Sequence, residues 1–332
     1  MKTSPKVTCI IAEYNPFHNG HAHHIERTLR ETMPDMLVVI MSGDFTERGD
    51  CAVCRKEIRA RWAVCAGADV VFELPPVFAV SSAENFAYGA MKTLSRNFPG
   101  FTLSFGSECG DITVLKRVSD ILNNENSGLS LLIKQNLKDG KSYPRARGEA
   151  FSSLYPDLAP ILLKPNNILA LEYLKAAEKI GGVKLHTVAR EDNFNSDKID
   201  GSFASAAAVR ELLKTGEDIT SYVPQYVAES LWAAYSKDDI SAAEYKIFER
   251  MRDISKADLT LTAGVKEGLE NRFKKFIPQA ENLNELLTSV KTKRYTMASL
   301  KRICVSAYLG ITAADTEAAK ENPPAPLILA KR

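Results

Sequence analysis

The sequence predicts an α/β fold built on a parallel sheet, followed by an α-helical region. Two observations carry this. Over roughly the first 200 residues, short apolar runs rich in β-formers alternate with helical patterns, as in a parallel sheet with helices on both faces. From about Tyr222 onward the patterns are helical only. The predicted division is residues 1–220 and 221–332.

The elements follow in order. "VTCIIAEY" (Val7–Tyr14) reads as a buried strand and "HAHHIERTLRET" as the helix after it. "MLVVIMSG" (Met36–Gly43) is the second strand, "KEIRARWAVCAGA" the second helix, and "DVVFELP" a third strand stopped by Pro75 and Pro76. "SAENFAYGAMKTLSRN" is a helix capped by Ser82, and "FTLSFGSE" a fourth strand. "NILALEYLKAAEKIGG" is a helix closed by glycines, and "VKLHTVAR" a fifth strand. Beyond Tyr222, "YVAESLWAAYS", "AAEYKIFERMRD", "VKEGLENRFKKFI" and "LNELLTSVKTKRYTMASLKRICVSAYLG" are helical, and the proline-bearing tail "ENPPAPLILAKR" is expected to be irregular.

Bulk properties narrow the function classes. The hydrophobic fraction of 45% and charged fraction of 25% are those of a globular protein, and the net charge of +2 excludes a polycation while permitting a local basic face. There is no apolar run of membrane-spanning length and no signal-peptide core, so a cytoplasmic protein with no membrane partner is expected. The six cysteines are scattered and suggest no disulfide framework. The lone CxxC at Cys51 and Cys54 lacks the second ligand pair of a structural zinc site.

The informative stretch is "EYNPFHNGHAHH", which places four of the five histidines (His18, His21, His23, His24) within seven residues. It lies where a strand ends, a turn forms and a helix begins near Gly20 or His21. In a parallel α/β sheet ligands bind at the carboxyl ends of strands. A helix N-terminus attracts phosphate, and Gly20 permits close approach. His18 and His21 flank the turn and can each donate to a phosphate oxygen. Three readings stand: phosphate handling, a metal site through His18, His21 and His23, or chance on an exposed turn. The glycine turn and the lack of a nearby acidic ligand favour phosphate and no metal. His23 and His24 fit solvated helix positions.

"HNGH" after a strand resembles the HxGH signature of the nucleotidyltransferase superfamily, and so implies a Rossmann-like domain. The longer "EYNPFHNGHAHH" resembles one branch, the tRNA(Met) cytidine acetate ligases. "MSGDFTERGDCA", "AGADVVFELP", "FGSE", "KPNNILALEYLKA", "SFASAAAVRELL" and "KTKRYTMASLKRI" follow in the order of that family's landmarks. The resemblance implies that ATP, with Mg2+ as its expected cofactor, and acetate form acetyl-adenylate and pyrophosphate, and that the acetyl group passes to the N4 amine of the wobble cytidine of elongator tRNA(Met).

It also implies a site. His18 and His21 are the catalytic candidates. The ATP stretch runs through Ile11, Ala12, Glu13, Tyr14, Asn15, Pro16, Phe17, His18, Asn19, Gly20, His21, Ala22, His23 and His24, joined by Gly106, Asn167, Arg190, Ser205 and Arg210. Each of the last five has a plainer reading: a turn glycine, a helix cap (Asn167, Ser205) or a solvated arginine. For tRNA, "KTKRYTMASLKR" offers Lys291, Lys293, Arg294, Lys301 and Arg302 with no acid among them, and Tyr295 can stack on a base. Two further basic clusters are Arg55, Lys56, Arg59 and Arg61, and Lys138, Lys141, Arg145 and Arg147. A charge run is more often a solvated face.

The pattern departs from the family at Glu47 (for Gln), Cys51 (for Pro), Ala207 (for Thr), Asn195-Ser196 (for Tyr-His) and Ser299 (for Arg). Glu47 near a triphosphate is unfavourable unless a cation or arginine offsets it, and Arg48 is available. The rival functions are an adenylyltransferase acting on a small phosphorylated metabolite and an RNA-binding protein with a decayed nucleotide site.

Overall fold

The computed structural model describes residues 5–124, 127–141, 143–190 and 204–332. Five strands, β1 (Val7–Ala12), β2 (Met36–Ser42), β3 (Val70–Leu74), β4 (Thr102–Ser107) and β5 (Lys184–Ala189), pair in parallel, as the alternation predicts. A sixth, β6 (Ile328–Lys331), completes the order β5-β4-β1-β2-β3-β6. It runs antiparallel to β3, with Val70 opposite Lys331 and Phe72 opposite Ile328. The tail is therefore not the irregular end the prolines suggest. A short run such as "LILA" becomes a strand only when an edge is offered, and β3 offers one.

The helices between β1 and β4 are α1 (Asn19–Thr32), α2 (Lys56–Cys65), α3 (Pro76–Ala79) and α4 (Ala83–Asn97). Between β4 and β5 lie α5 (Ile112–Asn123), α6 (Ser127–Lys138), α7 (Tyr143–Leu154) and α8 (Pro165–Ile180). After β5 come α9 (Ala206–Thr215), α10 (Gln225–Ala234), α11 (Lys237–Asp253), α12 (Lys256–Leu261), α13 (Leu269–Phe276), α14 (Leu283–Val290), α15 (Met297–Leu309) and α16 (Ala313–Glu321). The stretch from Leu283 to Gly310, expected as one helix, is two: Lys291 leaves the helical region and Thr296 caps the next helix by accepting from the Ser299 N–H at 3.2 Å. None of the described helices is long and apolar enough to cross a membrane.

Alternation along the strands builds two cores. Cys9, Val38 and Ile40 face α4 and α8, whereas Ile10, Leu37, Val39 and Met41 face α1, α2, α9 and α10. A third core joins α11 to α15 and takes in Val80 and, at its margin, Phe45 and Cys51. A smaller one gathers α5, α6 and α7.

The order of the strands decides where a ligand can sit. The chain builds β1, β2 and β3 outward in one direction, then returns to place β4 on the other side of β1. This reversal between β1 and β4 opens a crevice at their carboxyl ends.

Arg59 is wholly buried against the carboxyl ends of β1 and β2. From α2 it donates to the carbonyls of Glu13 (2.7 Å), Ser42 (3.3 Å) and Cys54 (3.2 Å), and to that of Gly43. It is no part of an RNA-facing surface. We expect Arg59→Met, which keeps the apolar stem but strands these carbonyls, to lower unfolding free energy by at least roughly 3 kcal/mol; urea denaturation followed by circular dichroism measures this.

Candidate functional site

The turn after β1 is fixed from several sides. Tyr14 adopts a positive φ of 48°, and its buried ring packs on Phe17 and His21 at centroid separations of 4.8 and 5.0 Å. Such a backbone costs a tyrosine energy that this packing offsets. The Asn15–Pro16 peptide is cis. Asn15 accepts from the Val53 N–H at 2.7 Å through its side chain and from Arg210 Nη1 at 2.6 Å through its carbonyl. Asn19 donates to the carbonyls of Ser221 (3.0 Å) and Tyr222 (2.9 Å).

α1 begins at Asn19, earlier than the sequence suggests, because His18 is its cap. His18 Nδ1 accepts from the Gly20 N–H at 3.1 Å, and His21 Nδ1 accepts from the His18 N–H at 3.2 Å. The two histidines thus form a reciprocal capping box, with rings stacked at 3.7 Å. With each Nδ1 an acceptor, each neutral ring carries its proton on Nε2. The amides of Asn19, Gly20, His21 and Ala22 are all engaged within the protein. Contrary to the sequence expectation, this helix start presents imidazole N–H groups rather than bare amides.

Electrostatics keep those rings neutral. Burial, followed by the charges of Arg190 and Arg210, lowers His18 to about 3. Burial, then His18, Arg190 and His24, holds His21 well below the usual histidine range. His24 is also lowered to about 3, by burial first and then by Arg190 and its histidine neighbours. It is not a solvated position: Nε2 lies 3.1 Å from Ser104 Oγ on β4, which also contacts Thr28 Oγ1 (2.7 Å) and His186 Nδ1 (3.0 Å). His23 is half-buried.

The remaining expected residues divide into those near the histidines and those that shape the rim. Arg190 follows β5, and its side chain lies over Gly106, where a Cβ would stand 3.2 Å from Arg190 Cγ. The bareness of Gly106 makes room for that arginine. Ser205 caps α9 by accepting from the Ala208 N–H at 3.1 Å, and α9 carries Arg210 to the turn. Asn167 is not a helix cap. It lies inside the first turn of α8, buried, and accepts from the Cys109 N–H at 3.0 Å, while Glu108 accepts from the amides of Asn166 (3.2 Å) and Asn167 (2.8 Å). Ile11 and Ala12 lie on β1, with side chains on opposite faces. Asn195-Ser196 lies outside the described residues.

The basic clusters fare differently from one another. Lys291, Lys293 and Arg294 are exposed between α14 and α15, and the Arg294 guanidinium stands 5.6 Å from the centre of the Tyr295 ring. Lys301 and Arg302, on α15, are instead ion-paired with Asp50 (2.5 Å) and Glu47 (3.0 Å). The cation that forms an ion pair with Glu47 is Arg302, remote in sequence, and the charge of the adjacent Arg48 adds to the offset. Lys56 is paired with Glu73 at 2.8 Å. Lys141 and Arg145 both pair with Glu149, and Arg147 donates to the Leu122 carbonyl. Cys51 and Cys54 are free thiols, which burial pushes up to about 12 and about 11, far from thiolate reactivity. Among the described residues no group of three or more His, Cys, Asp or Glu is arranged to hold a metal.

The depressed histidines have a consequence for stability. Between their folded values near 3 and the ordinary value of 6.5, His18 and His24 bind more protons in the unfolded chain. Their contribution is complete above pH 6.5 and is lost as pH falls, by up to roughly 1.4 kcal/mol per pH unit for each ring. Thermal melts should show this decline below pH 6.5, and His24→Gln should make it shallower.

Comparison with known proteins places this geometry. The HIGH Nucleotidyl Transferase family profile matches residues 5–332. The tRNA(Met) cytidine acetate ligase of Thermoanaerobacter sp. (strain X514) is 37% identical over 310 residues, covering 91% of this chain and 77% of the relative. That of Caldicellulosiruptor saccharolyticus is 39% identical over 306 residues, covering 90% and 76%. The crystal structure of Thermotoga maritima TmcAL bound with alpha-thio ATP superposes with a TM-score of 0.84 at 30% identity, over 98% of this chain and 80% of that one. With its paired histidines at the β1–β4 crevice and this extent of similarity, the chain belongs to the tRNA(Met) cytidine acetate ligase family, within the HIGH nucleotidyl transferases.

Proposed function

We propose that this protein activates acetate with ATP to acetyl-adenylate and passes the acetyl group to the N4 amine of the wobble cytidine in elongator tRNA(Met), releasing pyrophosphate and AMP. The observation that supports the reading is the reciprocal histidine cap, which holds two neutral imidazoles at the start of α1, just beyond the carboxyl end of β1 where the strand order reverses.

In the first step an acetate oxygen attacks the α-phosphate and pyrophosphate leaves. Such a reaction depends on positioning and charge stabilisation. His18 and His21 donate to the α-phosphate oxygens as negative charge develops there. The rings need no protonation to do so, and their cap fixes their orientation beforehand. Arg190 and Arg210 supply the positive field that favours the triphosphate. Tyr14 to His24, with Gly106 beneath Arg190, frame the nucleotide, and Ser205 and Asn167 hold the helices at its rim. Mg2+ accompanies ATP and neutralises part of its charge; the described residues provide no dedicated cage for it.

The segment Lys291–Tyr295 presents exposed cations and an aromatic ring on the helical side, and is the proposed tRNA contact of residues 221–332. Lys301 and Arg302 contribute to that face while anchoring α15 to the loop that carries Glu47 and Asp50.

Two measurements test this. With ATP, acetate and Mg2+, the protein should exchange labelled pyrophosphate into ATP, and His21→Ala should slow exchange by roughly a hundred- to a thousand-fold while its circular dichroism is retained. Exchange at the parent rate would remove His21 from the chemistry. Second, replacing Lys291, Lys293 and Arg294 together with alanine should weaken tRNA binding and reduce its salt dependence by about three counterions' worth of slope. Tyr295→Ala should weaken it by roughly 1–3 kcal/mol. ATP affinity should be unchanged in both.

A further inference from the structure

Acetylation of an exocyclic amine needs a proton acceptor. The N4 lone pair of cytosine is delocalised into the ring, and attack on an acyl carbon leaves a positively charged nitrogen that must shed a proton. The paired histidines are unsuited to that task. Their Nδ1 atoms accept backbone N–H groups and their Nε2 atoms carry protons, so neither ring offers a lone pair unless the cap is broken.

The carboxylates at the strand ends are mostly committed. Glu47 is paired with Arg302 at 3.0 Å, Asp50 with Lys301 at 2.5 Å and Glu73 with Lys56 at 2.8 Å. Glu108 caps α8 through the Asn166 and Asn167 amides. Glu13 is different. It is the first residue beyond β1, half-buried, and its Oε1 accepts from the Glu47 N–H at 2.6 Å. Its Oε2 takes no hydrogen bond from the described residues.

The placement of Glu13 suits an acceptor. Along β1, Ile10 and Ala12 point to the α1 side and Cys9 and Ile11 to the α8 side, so Glu13 continues the second set. Its charge is felt by Tyr173 on α8. His18 and His21 stand on the other flank of the same strand end. Arg210 links the two flanks: it donates to the carbonyl of Asn15, between Glu13 and His18, and its charge acts on both. A substrate lying over the end of β1 would have its phosphate beside the histidines and its acyl group toward Glu13.

We propose that Glu13 is the catalytic base of the acetyl-transfer step, an inference that rests on the function proposed above. The N4 nitrogen forms a bond to the acetyl carbon, the bond from that carbon to the phosphate oxygen breaks, AMP leaves with the electron pair, and Glu13 Oε2 takes the N4 proton. The groups that face Glu13 set its basicity. Burial raises its pKa and the charge of Glu47 adds to this, while the Glu47 amide, Arg59 and Arg210 oppose it. Tyr173 completes its surroundings. A carboxylate raised toward neutrality is a better base than an ordinary one.

The test separates the two half-reactions. Glu13→Gln retains an acceptor for the Glu47 N–H and loses the proton acceptor. With ATP saturating, single-turnover transfer of acetyl from the adenylate to tRNA should fall by roughly a hundred- to ten-thousand-fold, a far larger loss than any in acetate-dependent pyrophosphate exchange. The parent transfer rate should rise with pH through one ionisation, and that limb should be absent in Glu13→Gln. Glu13→Asp should slow transfer but keep the limb, which guards against a variant that merely misfolds. Equal loss of both half-reactions in the two variants, an unaffected transfer rate, or an unchanged pH limb in Glu13→Gln would overturn the inference. If the parent itself shows no acetate-dependent exchange, the proposed function fails and this inference falls with it.

Discussion

The clasp made by Arg59 underlies the rest of the site. Where β1 and β2 end, their carbonyls pass out of the sheet's hydrogen-bond ladder, and buried carbonyls need donors. A planar guanidinium with five N–H groups can serve several at once. From α2, Arg59 reaches Glu13 on one strand end, Ser42 and Gly43 on the other, and Cys54 in the loop that returns to α2. The histidine turn and the loop from Gly43 to Cys54 therefore leave the sheet from a common fixed point. Further bonds join them, from the Val53 N–H to Asn15 and from the Glu47 N–H to Glu13. The loop is in effect the second wall of the nucleotide turn.

That wall carries the mechanical link to the helical region. Gly49, at a φ of 78°, lies so close to α15 that a Cβ would stand 2.6 Å from the Arg302 backbone nitrogen. Glu47 and Asp50 meet Arg302 and Lys301 across the same contact. A face that is wholly basic in sequence is thus partly neutralised by acids some 250 residues away in the chain. The cations left exposed cluster at the start of α15, on the turn from Lys291 to Tyr295. The helical region is fastened to the site by one end of this segment and presents charge with the other.

Within the crevice, neutrality and charge are kept on different groups. Burial and the charge of Arg190, joined at His18 by that of Arg210, make protonation of the imidazoles unfavourable and leave them as oriented dipoles. The arginines hold the net positive charge. Such a division lets donors be aimed at a phosphate without the reorganisation that mobile cations would require.

The parallel sheet was legible in the sequence, because apolar runs at strand length separated by helical patterns admit few other folds, and so was the histidine turn, because a strand, a helix-breaking proline, a glycine and a helix occur in one short stretch. The family motifs also singled out Arg210, which the fold brings to the Asn15 carbonyl. Local patterns could not reveal partners distant in the chain. The tertiary structure alone decided that the tail forms β6 on the open edge of β3, and that His24 bridges to β4 instead of facing solvent. It showed Asn167 pinning Cys109 from inside α8 instead of capping that helix, and Arg59, one of four cations in a run that looked like a solvated face, to be wholly buried. In each case the side chain's function is set by an acceptor, an acid or a strand edge brought close by folding, and no spacing within the segment itself encodes that neighbour.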